Sequence, residues 1–491
     1  MYGKFRKTQA IPCGNVPGAH LSGRRRVFYR GCSDARGAVH GTEALQITFI
    51  NHACVKLALG DVVILCDPWL SGAAFNQGWD LLIKTPLSVD QVMDGVTHIW
   101  VSHEHPDHFV PKFFSDIAPG YAAKIPVLFQ KTRDKRIKSF LESRGFTVTE
   151  LANRRQQSIG SVRVTCGVSD FYDSWLHVTD GAGSVLNLND CAEGEESELR
   201  NIARLTGPLD VLLTQFSYAA WKGGRANAHF RELAAKRKLE TITAQVKALK
   251  PRYVVPFASF VYFSNEENSY LNDHINRPDA AAAAITAAGA EPVVLYPRDH
   301  WTVGEPYNDG AARAGYRGVY AEIGALPLRK PSESVPLDQL AREFEAYQAG
   351  IFERNSAGLI RFLRRVPLLG ALHPVTIRLT DLNETVSVSI VDGFAVATGA
   401  TEDVAMHSDS LSFIFKNPFG FDTLTVNGRF EATPAGFGKM TKSLAVGSLN
   451  AMGLAVSPSL VMNFRVVLML LRRLAGVVRN MTQANRAARE T

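Results

Sequence analysis

Cysteine is scarce and poorly placed for cross-linking. The six cysteines (Cys13, Cys32, Cys54, Cys66, Cys166 and Cys191) all lie in the first part of the 491-residue chain, without a Cys-x-x-Cys pair or regular spacing. That excludes a disulfide scaffold and a cysteine-built structural zinc site, and fits reduced thiols. Long apolar runs are missing too. The early basic residues are followed by no apolar h-region, so a secretory signal is not expected. The most apolar late stretch, Leu460 to Val478, is broken by Arg465, Arg472 and Arg473, which argues against a simple membrane span. A cytoplasmic protein is the expectation. The net charge of +7 is small for this length, although Lys4, Arg6, Lys7, Arg24, Arg25, Arg26 and Arg30 crowd the start. Such a cluster is compatible with an acidic partner but singles out no nucleic acid. There is no internal repeat at solenoid spacing, and the sequence leaves the oligomeric state open.

The chain is long enough for two domains with appendages. Residues 1–43, rich in Gly, Arg and Pro, form a basic irregular N-terminal segment. Short β-rich runs follow (Ile47–Asn51, Cys54–Leu59, Val62–Cys66, His98–Ser102), then strand candidates at Val162–Cys166, Trp175–Thr179, Ser184–Asn189, Val211–Thr214, Tyr253–Phe257 and Pro292–Tyr296. Helical patterns cover Arg231–Leu249 and Asp279–Ala288, the latter with Asp279 as a plausible N-cap. This order predicts a layered α/β catalytic domain over 44–310. A linker with a helix over 311–369 leads to a small α+β domain over 370–455, marked by Thr/Val-rich alternation from Val375 to about Ala432. In 456–491, Arg465, Arg472 and Arg479 recur every seven residues among Val, Leu and Met. The pattern suits either an amphipathic basic helix lying on a membrane surface or one capping the C-terminal domain.

The chemistry concentrates in His103-Glu104-His105-Pro106-Asp107-His108, which follows directly on the strand His98–Ser102. Three imidazoles and a carboxylate in six residues are dense in a chain with 13 histidines. His103 and His105 can aim at one ion while Asp107 and His108 turn to a second. Imidazole with carboxylate suits zinc, iron or manganese, as one or two divalent ions.

The hexapeptide resembles the His-x-His-x-Asp-His signature of the metallo-β-lactamase superfamily, which implies an αββα sandwich. Ile50-Asn51-His52-Ala53 with Leu65-Cys66-Asp67-Pro68-Trp69-Leu70 resembles the phospholipase D-like and sugar-lactonase-like branches. The resemblance implies His52 and Asp67 as outer residues orienting ligands, with a buried structural histidine as the plain alternative for His52. It also implies Asp190, ending Leu188-Asn189-Asp190, as the bridging carboxylate. The preceding ligand is normally histidine, but Cys166-Gly167-Val168-Ser169-Asp170-Phe171-Tyr172-Asp173-Ser174 offers Asp170 there, with His177 as rival. The last family histidine should follow Tyr253-Val254-Val255-Pro256, where Phe257-Ala258-Ser259 stand instead. His274 or a neighbour would have to substitute, or the second metal would be weakly held.

Leu213-Thr214-Gln215-Phe216-Ser217 and Val255 to Tyr270, with Tyr296-Pro297-Arg298, resemble the catalytic part of the CMP-N-acetylneuraminate hydroxylase family. That family's Rieske centre would need Cys-x-His and Cys-x-x-His, and neither pattern occurs. Ser410-Leu411-Ser412 to Val426-Asn427-Gly428 faintly resembles sterol-carrier-like domains.

Two activities follow as expectations. The first is a hydrolase whose metal-activated water attacks a phosphorylated or acylated sugar, glycoconjugate or lipid, with Asp107 assisting proton transfer. The second is a dinuclear non-haem iron oxygenase acting on a nucleotide sugar or glycoconjugate with an external electron donor, built on His103, His105 and Asp170. A binding protein with a degenerate site remains a third possibility. Lys222, Arg225 and Arg298 could meet phosphate groups, although each is also an ordinary surface cation.

Overall fold

Apolar residues alternate along the first strands, and the alternation decides the architecture. Ile64 and Cys66, Trp100, and Leu128 enter one core, while Leu65, Ile99, Val101, Val127 and Phe129 enter another. A strand apolar on both faces must be covered on both. The computed structural model describes residues 44–169, 173–191, 194–366, 370–451 and 453–458. The basic N-terminal segment, Asp170 and nearly all of 456–491 therefore lie outside the described residues.

The strands in chain order are β1 (Gln46–Asn51), β2 (Cys54–Leu59), β3 (Val62–Cys66), β4 (Trp79–Leu81), β5 (His98–Val101), β6 (Val127–Gln130) and β7 (Val148–Leu151). They continue as β8 (Arg155–Ile159), β9 (Val162–Ser169), β10 (Asp173–Thr179), β11 (Ser184–Asn189), β12 (Val211–Gln215), β13 (Tyr253–Phe257), β14 (Val261–Phe263), β15 (Glu291–Pro292) and β16 (His300–Thr302). Two seven-stranded sheets result, ordered β16-β1-β2-β3-β5-β6-β7 and β15-β13-β12-β11-β10-β9-β8. Each has an antiparallel part and a parallel part: β3, β5, β6 and β7 run parallel in the first, and β11, β12, β13 and β15 in the second.

On the outer face of the first sheet, Val92, Met93, Phe113, Phe114 and Leu141 come from the helices Val89–Met93, Pro111–Asp116 and Arg136–Ser143. Helices Glu196–Thr206, Ala228–Leu249 and Pro278–Ala288 cover the second through Leu199, Ile202, Ile242, Val246, Ala281 and Ile285. This is the αββα sandwich expected from the sequence. Cys54, Cys66, Cys166 and Cys191 are buried free thiols, and burial pushes Cys166 up to about 12.

Two local expectations need correction. Asp279 lies in the first turn of its helix rather than at the cap, which is Arg277, because Pro278 takes the first helical position. The strand expected at Pro292–Tyr296 ends at Pro292. Beyond Val293 the ladder yields to side chains: Val294 N–H donates to Asp309, Tyr316 O–H donates to the Leu295 carbonyl, and Tyr296 N–H donates to Asp299.

After the helices Gly310–Ala321, Leu337–Arg354 and Ala357–Arg364, the chain forms a mixed sheet of β17 (Val375–Leu379), β18 (Glu384–Ser389), β19 (Gly393–Val396), β20 (Val404–Met406) and β21 (Glu431–Ala432), ordered β19-β18-β17-β20-β21. Its core is not its own. Val375, Ile377, Leu411, Phe421, Phe430 and Met440 share one apolar cluster with Trp69, Phe75, Trp79, Tyr218, Trp221 and Phe263. Fully buried Arg429 stitches the two parts together: it pairs with Asp409 at 3.0 Å and Glu267 at 2.7 Å, and donates to the Asn76 carbonyl at 3.1 Å. Both parts belong to the compact unit that begins at Thr42. No helix among the described residues is long and apolar enough to cross a membrane.

Candidate metal centre

The parallel strands of both sheets end at one rim, where backbone groups and loops are free to build a site. Asp67 follows β3, the hexapeptide follows β5, Asp190 follows β11, Gln215 ends β12, and Ala258 follows β13. Four non-glycine residues at this rim have left-handed backbone: His52 (φ 44°), Asp67 (φ 41°), Asn189 (φ 51°) and Ala258 (φ 50°). Such conformations cost energy and persist only where surrounding contacts over-determine them.

Those contacts are visible. Asp67, wholly buried, accepts the Ser102 N–H at 2.7 Å through Oδ1. Its Oδ2 faces His108 Nδ1 at 3.2 Å and accepts from the Asn189 amide. The far nitrogen, His108 Nε2, is thereby aimed at Asp107 Oδ2 (3.2 Å) and Asp190 Oδ2 (3.4 Å). Ser102 Oγ holds His103 Nδ1 at 2.8 Å, while the Ser102 carbonyl accepts from Ser174 and Gln130. His103 Nε2 then faces His105 Nδ1 at 2.8 Å, Asp173 Oδ1 at 3.6 Å and Asp190 Oδ2 at 3.9 Å. The His105 carbonyl accepts from the N–H groups of His108 and Phe109, closing the loop on itself. Phe75 packs its ring edge-on to His105, with centroids 5.6 Å apart.

Three groups of donors converge within 4.8 Å: His103, His105 and Asp173; His103, His108 and Asp190; and His52, Asp107 and His108. Asp190 borders both ends, as a bridging carboxylate would. His108 Nε2 and Asp107 Oδ1 are buried without a hydrogen-bond partner among the described residues. Buried lone pairs left unmatched are costly, so this donor set fits a pair of divalent cations. The electrostatics agree. Burial pushes His103 down to about 3, aided by His108 and His105, which keeps its ring neutral as a ligand must be. Burial opposes ionisation of Asp190, yet His108 outweighs it and holds Asp190 down to about 2. Burial likewise disfavours a charged His108, but Asp107 and Asp190 override it and raise its pKa well above the usual histidine value, which shows how strongly this spot attracts positive charge.

Measured against the sequence expectations, His103, His105, Asp107, His108 and Asp190 come together. Asp170 lies outside the described residues. Asp173, three residues on at the start of β10, stands beside His103 and His105; its stretch was singled out, but nothing in the spacing favoured it over Asp170. His52, expected behind the ligands, presents Nε2 3.4 Å from Asp107 Oδ2. It arrives from the β1–β2 turn, and its carbonyl accepts the Ala258 N–H at 3.0 Å. His274 instead neighbours Asp273 at 3.9 Å, and His177 is buried against Ser184 Oγ at 2.9 Å; neither joins a donor group. Ser102, Ser174, Asn189 and Gln215 were missed, because a residue that steers a ligand through one hydrogen bond has no spacing signature.

With the sandwich and its rim of histidines and aspartates described, the comparison falls on the same stretch: residues 46–258 match the β-lactamase superfamily domain, and the donor groups that could hold metal all lie within it. Among curated proteins it is 27% identical over 288 residues to the cytidine monophosphate-N-acetylneuraminic acid hydroxylase of Xenopus laevis, covering 54% of this chain and 46% of that protein. The mouse (Mus musculus) protein of the same name is 27% identical over 252 residues, covering 48% and 42%. The chain thus spans about half the length of the curated relatives it matches. Among solved structures, CmlA, a diiron β-hydroxylase from Streptomyces venezuelae, is 18% identical with a TM-score of 0.37, covering 53% of this chain and 54% of that one.

Proposed function

We propose that the chain is a dinuclear non-haem iron oxygenase that hydroxylates a nucleotide sugar or related glycoconjugate with electrons from a separate donor. The observation that carries this reading is the share of carboxylate. His103, His105 and Asp173 make one set of two imidazoles and a carboxylate, His52, Asp107 and His108 make another, and Asp190 lies between them. Two-histidine, one-carboxylate sets with open positions suit iron and dioxygen. The names of the curated relatives point the same way.

Iron, when bound, would supply activation of dioxygen; the overall change is R–H + O2 + 2 e− + 2 H+ → R–OH + H2O. The protein's part is positional. Asp67 fixes the ring of His108, Ser102 fixes that of His103, and the Phe75 ring shields His105 from water. Asp107 is the carboxylate placed to take or give a proton at its unpartnered Oδ1.

A second reading, hydrolysis of a phosphorylated or acylated sugar by metal-activated water, is favoured by the lack of Cys-x-His and Cys-x-x-His patterns. It needs no electron supply. Isotope labelling separates the two. Protein purified without added metal is analysed for iron and zinc, then incubated with CMP-N-acetylneuraminic acid, a chemical reductant and 18O2. About two irons per chain and product carrying label from dioxygen is the expected result. Zinc, with product oxygen drawn from labelled water, would overturn oxygenation in favour of hydrolysis.

A further inference from the structure

Beside Asp190, outside the donor groups, stands a half-buried lysine, Lys238, opposed by the charge of Lys222, which is in turn opposed by Arg237. Lys238 lies in the middle of the helix Ala228–Leu249, on the stripe that carries buried Arg231, Ala235, Ile242 and Gln245. That stripe faces the sheet rather than solvent. Arg231 has its charge answered by Asp273 at 2.6 Å. Lys238 has no ion pair among the described residues; its ammonium donates to Gln215 Oε1, and Gln215 Nε2 donates to Asp190 Oδ1 at 3.1 Å.

Lys222, half-buried, stands in the loop after β12, and its neighbours are pinned on both sides. Trp221 N–H donates to the Thr425 carbonyl at 3.0 Å, while Arg231 donates to the carbonyls of Gly223 (3.2 Å) and Gly224 (2.6 Å). Gly223 has φ +91°, and a Cβ there would meet Asn227 at 2.9 Å, so this turn accepts little but glycine. Lys222 makes no hydrogen bond or ion pair among the described residues, and the charge it feels is that of another cation, Arg237.

Burial and Arg237 lower the Lys222 pKa, and burial pulls Lys238 down to about 8 against the partial support of Asp190 and Asp173. Those two carboxylates belong to the donor groups. Divalent cations at the rim would claim their charge and leave Lys222 and Lys238 without an anionic partner among the described residues. Desolvated lysines without counter-charge are expensive, so Lys222 and Lys238 call for an anion.

We propose that Lys222 and Lys238, with Arg237 alongside, form a phosphate subsite on the Asp190 side of the metal centre that holds a phosphate group of the substrate. Phosphate fits better than carboxylate. Cations arriving from a loop and a helix need an acceptor whose oxygens point in several directions, and phosphate offers them with up to two negative charges. The inference rests on the rim being a substrate site and sharpens its substrate class, while its test is independent of which reaction occurs there.

The test is calorimetric titration of the metal-loaded full chain with inorganic phosphate, and separately with acetate, in the parent protein and in Lys222→Met, Lys238→Met and the milder Lys238→Gln. Metal content and circular dichroism are measured for each. The expected result is phosphate binding weakened at least tenfold by each lysine substitution, with metal content unchanged and acetate binding weak throughout. Unchanged phosphate affinity in the folded variants would mean that phosphate sits on the metals and would overturn the subsite. Lysine-dependent binding of acetate rather than phosphate would also overturn it.

Discussion

The backbone carbonyl of His52 accepts the N–H of Ala258 at 3.0 Å, so the turn between β1 and β2 is tied to the end of β13. His52, from the start of the domain, thus stands beside Asp107 and His108 next to the stretch where the family pattern looks for its last histidine. His52→Ala should therefore lower metal content by about one equivalent per chain while His103 and His105 keep the other. Metal analysis after dialysis checks this. Retention of both metals would return His52 to a merely structural role.

Asp173 and Asp170 compete for one role, and among the described residues Asp173 stands beside His103 and His105. Asp173→Ala should weaken binding at that end of the centre by roughly tenfold or more, the size usual even for groups that only orient a metal ligand. Asp170→Ala should cost much less. Competition against a chromophoric chelator gives both values, and the reverse ranking would restore the sequence assignment.

His177 supplies a pH dependence remote from any metal donor. Burial, with help from Arg163, lowers its pKa from 6.5 to about 4. The unfolded chain therefore binds the extra proton first, and stability contributed by the neutral ring is complete above about pH 6.5 and lost as pH falls towards 4. The difference corresponds to on the order of 3 kcal/mol. In urea titrations, His177→Gln should flatten the stability profile between those pH values; an unaltered slope would refute the assignment.

Arg429 has no exposure and is matched by Asp409 and Glu267. Replacing it with Met leaves buried Asp409 and half-buried Glu267 without this cation, and breaking a buried pair typically costs about 3–5 kcal/mol. Chemical denaturation should show that loss in one transition that includes the catalytic region, because the apolar cluster is shared. Two separate transitions in the parent protein would contradict the shared core.

The fold was legible where periodicity was strong. Cys54–Leu59, Val62–Cys66, Ser184–Asn189 and Tyr253–Phe257 occupy their expected bounds, because alternating or fully apolar runs between turn residues leave few other solutions. Pro292–Tyr296 misled, since Val294 and Leu295 are buried beyond the end of the ladder. In the site, the dense hexapeptide announced itself, whereas Asp173, Gln215 and Lys238 did not. Each derives its meaning from a partner 23 to 70 positions away, as with Lys238 and Gln215, Gln215 and Asp190, or Asp173 and His103. One-dimensional spacing cannot encode that closeness.

Phe75, Asn76 and Gln77 all have left-handed backbone (φ 50°, 50° and 60°), an arrangement a free peptide would abandon. Asn427 grips the Phe75 carbonyl at 3.1 Å and Arg429 the Asn76 carbonyl, more than three hundred residues downstream. The segment that packs against His105 is thus written partly in the last quarter of the chain. A change of sequence there can reshape what the centre admits without touching a single residue that would bind the metal.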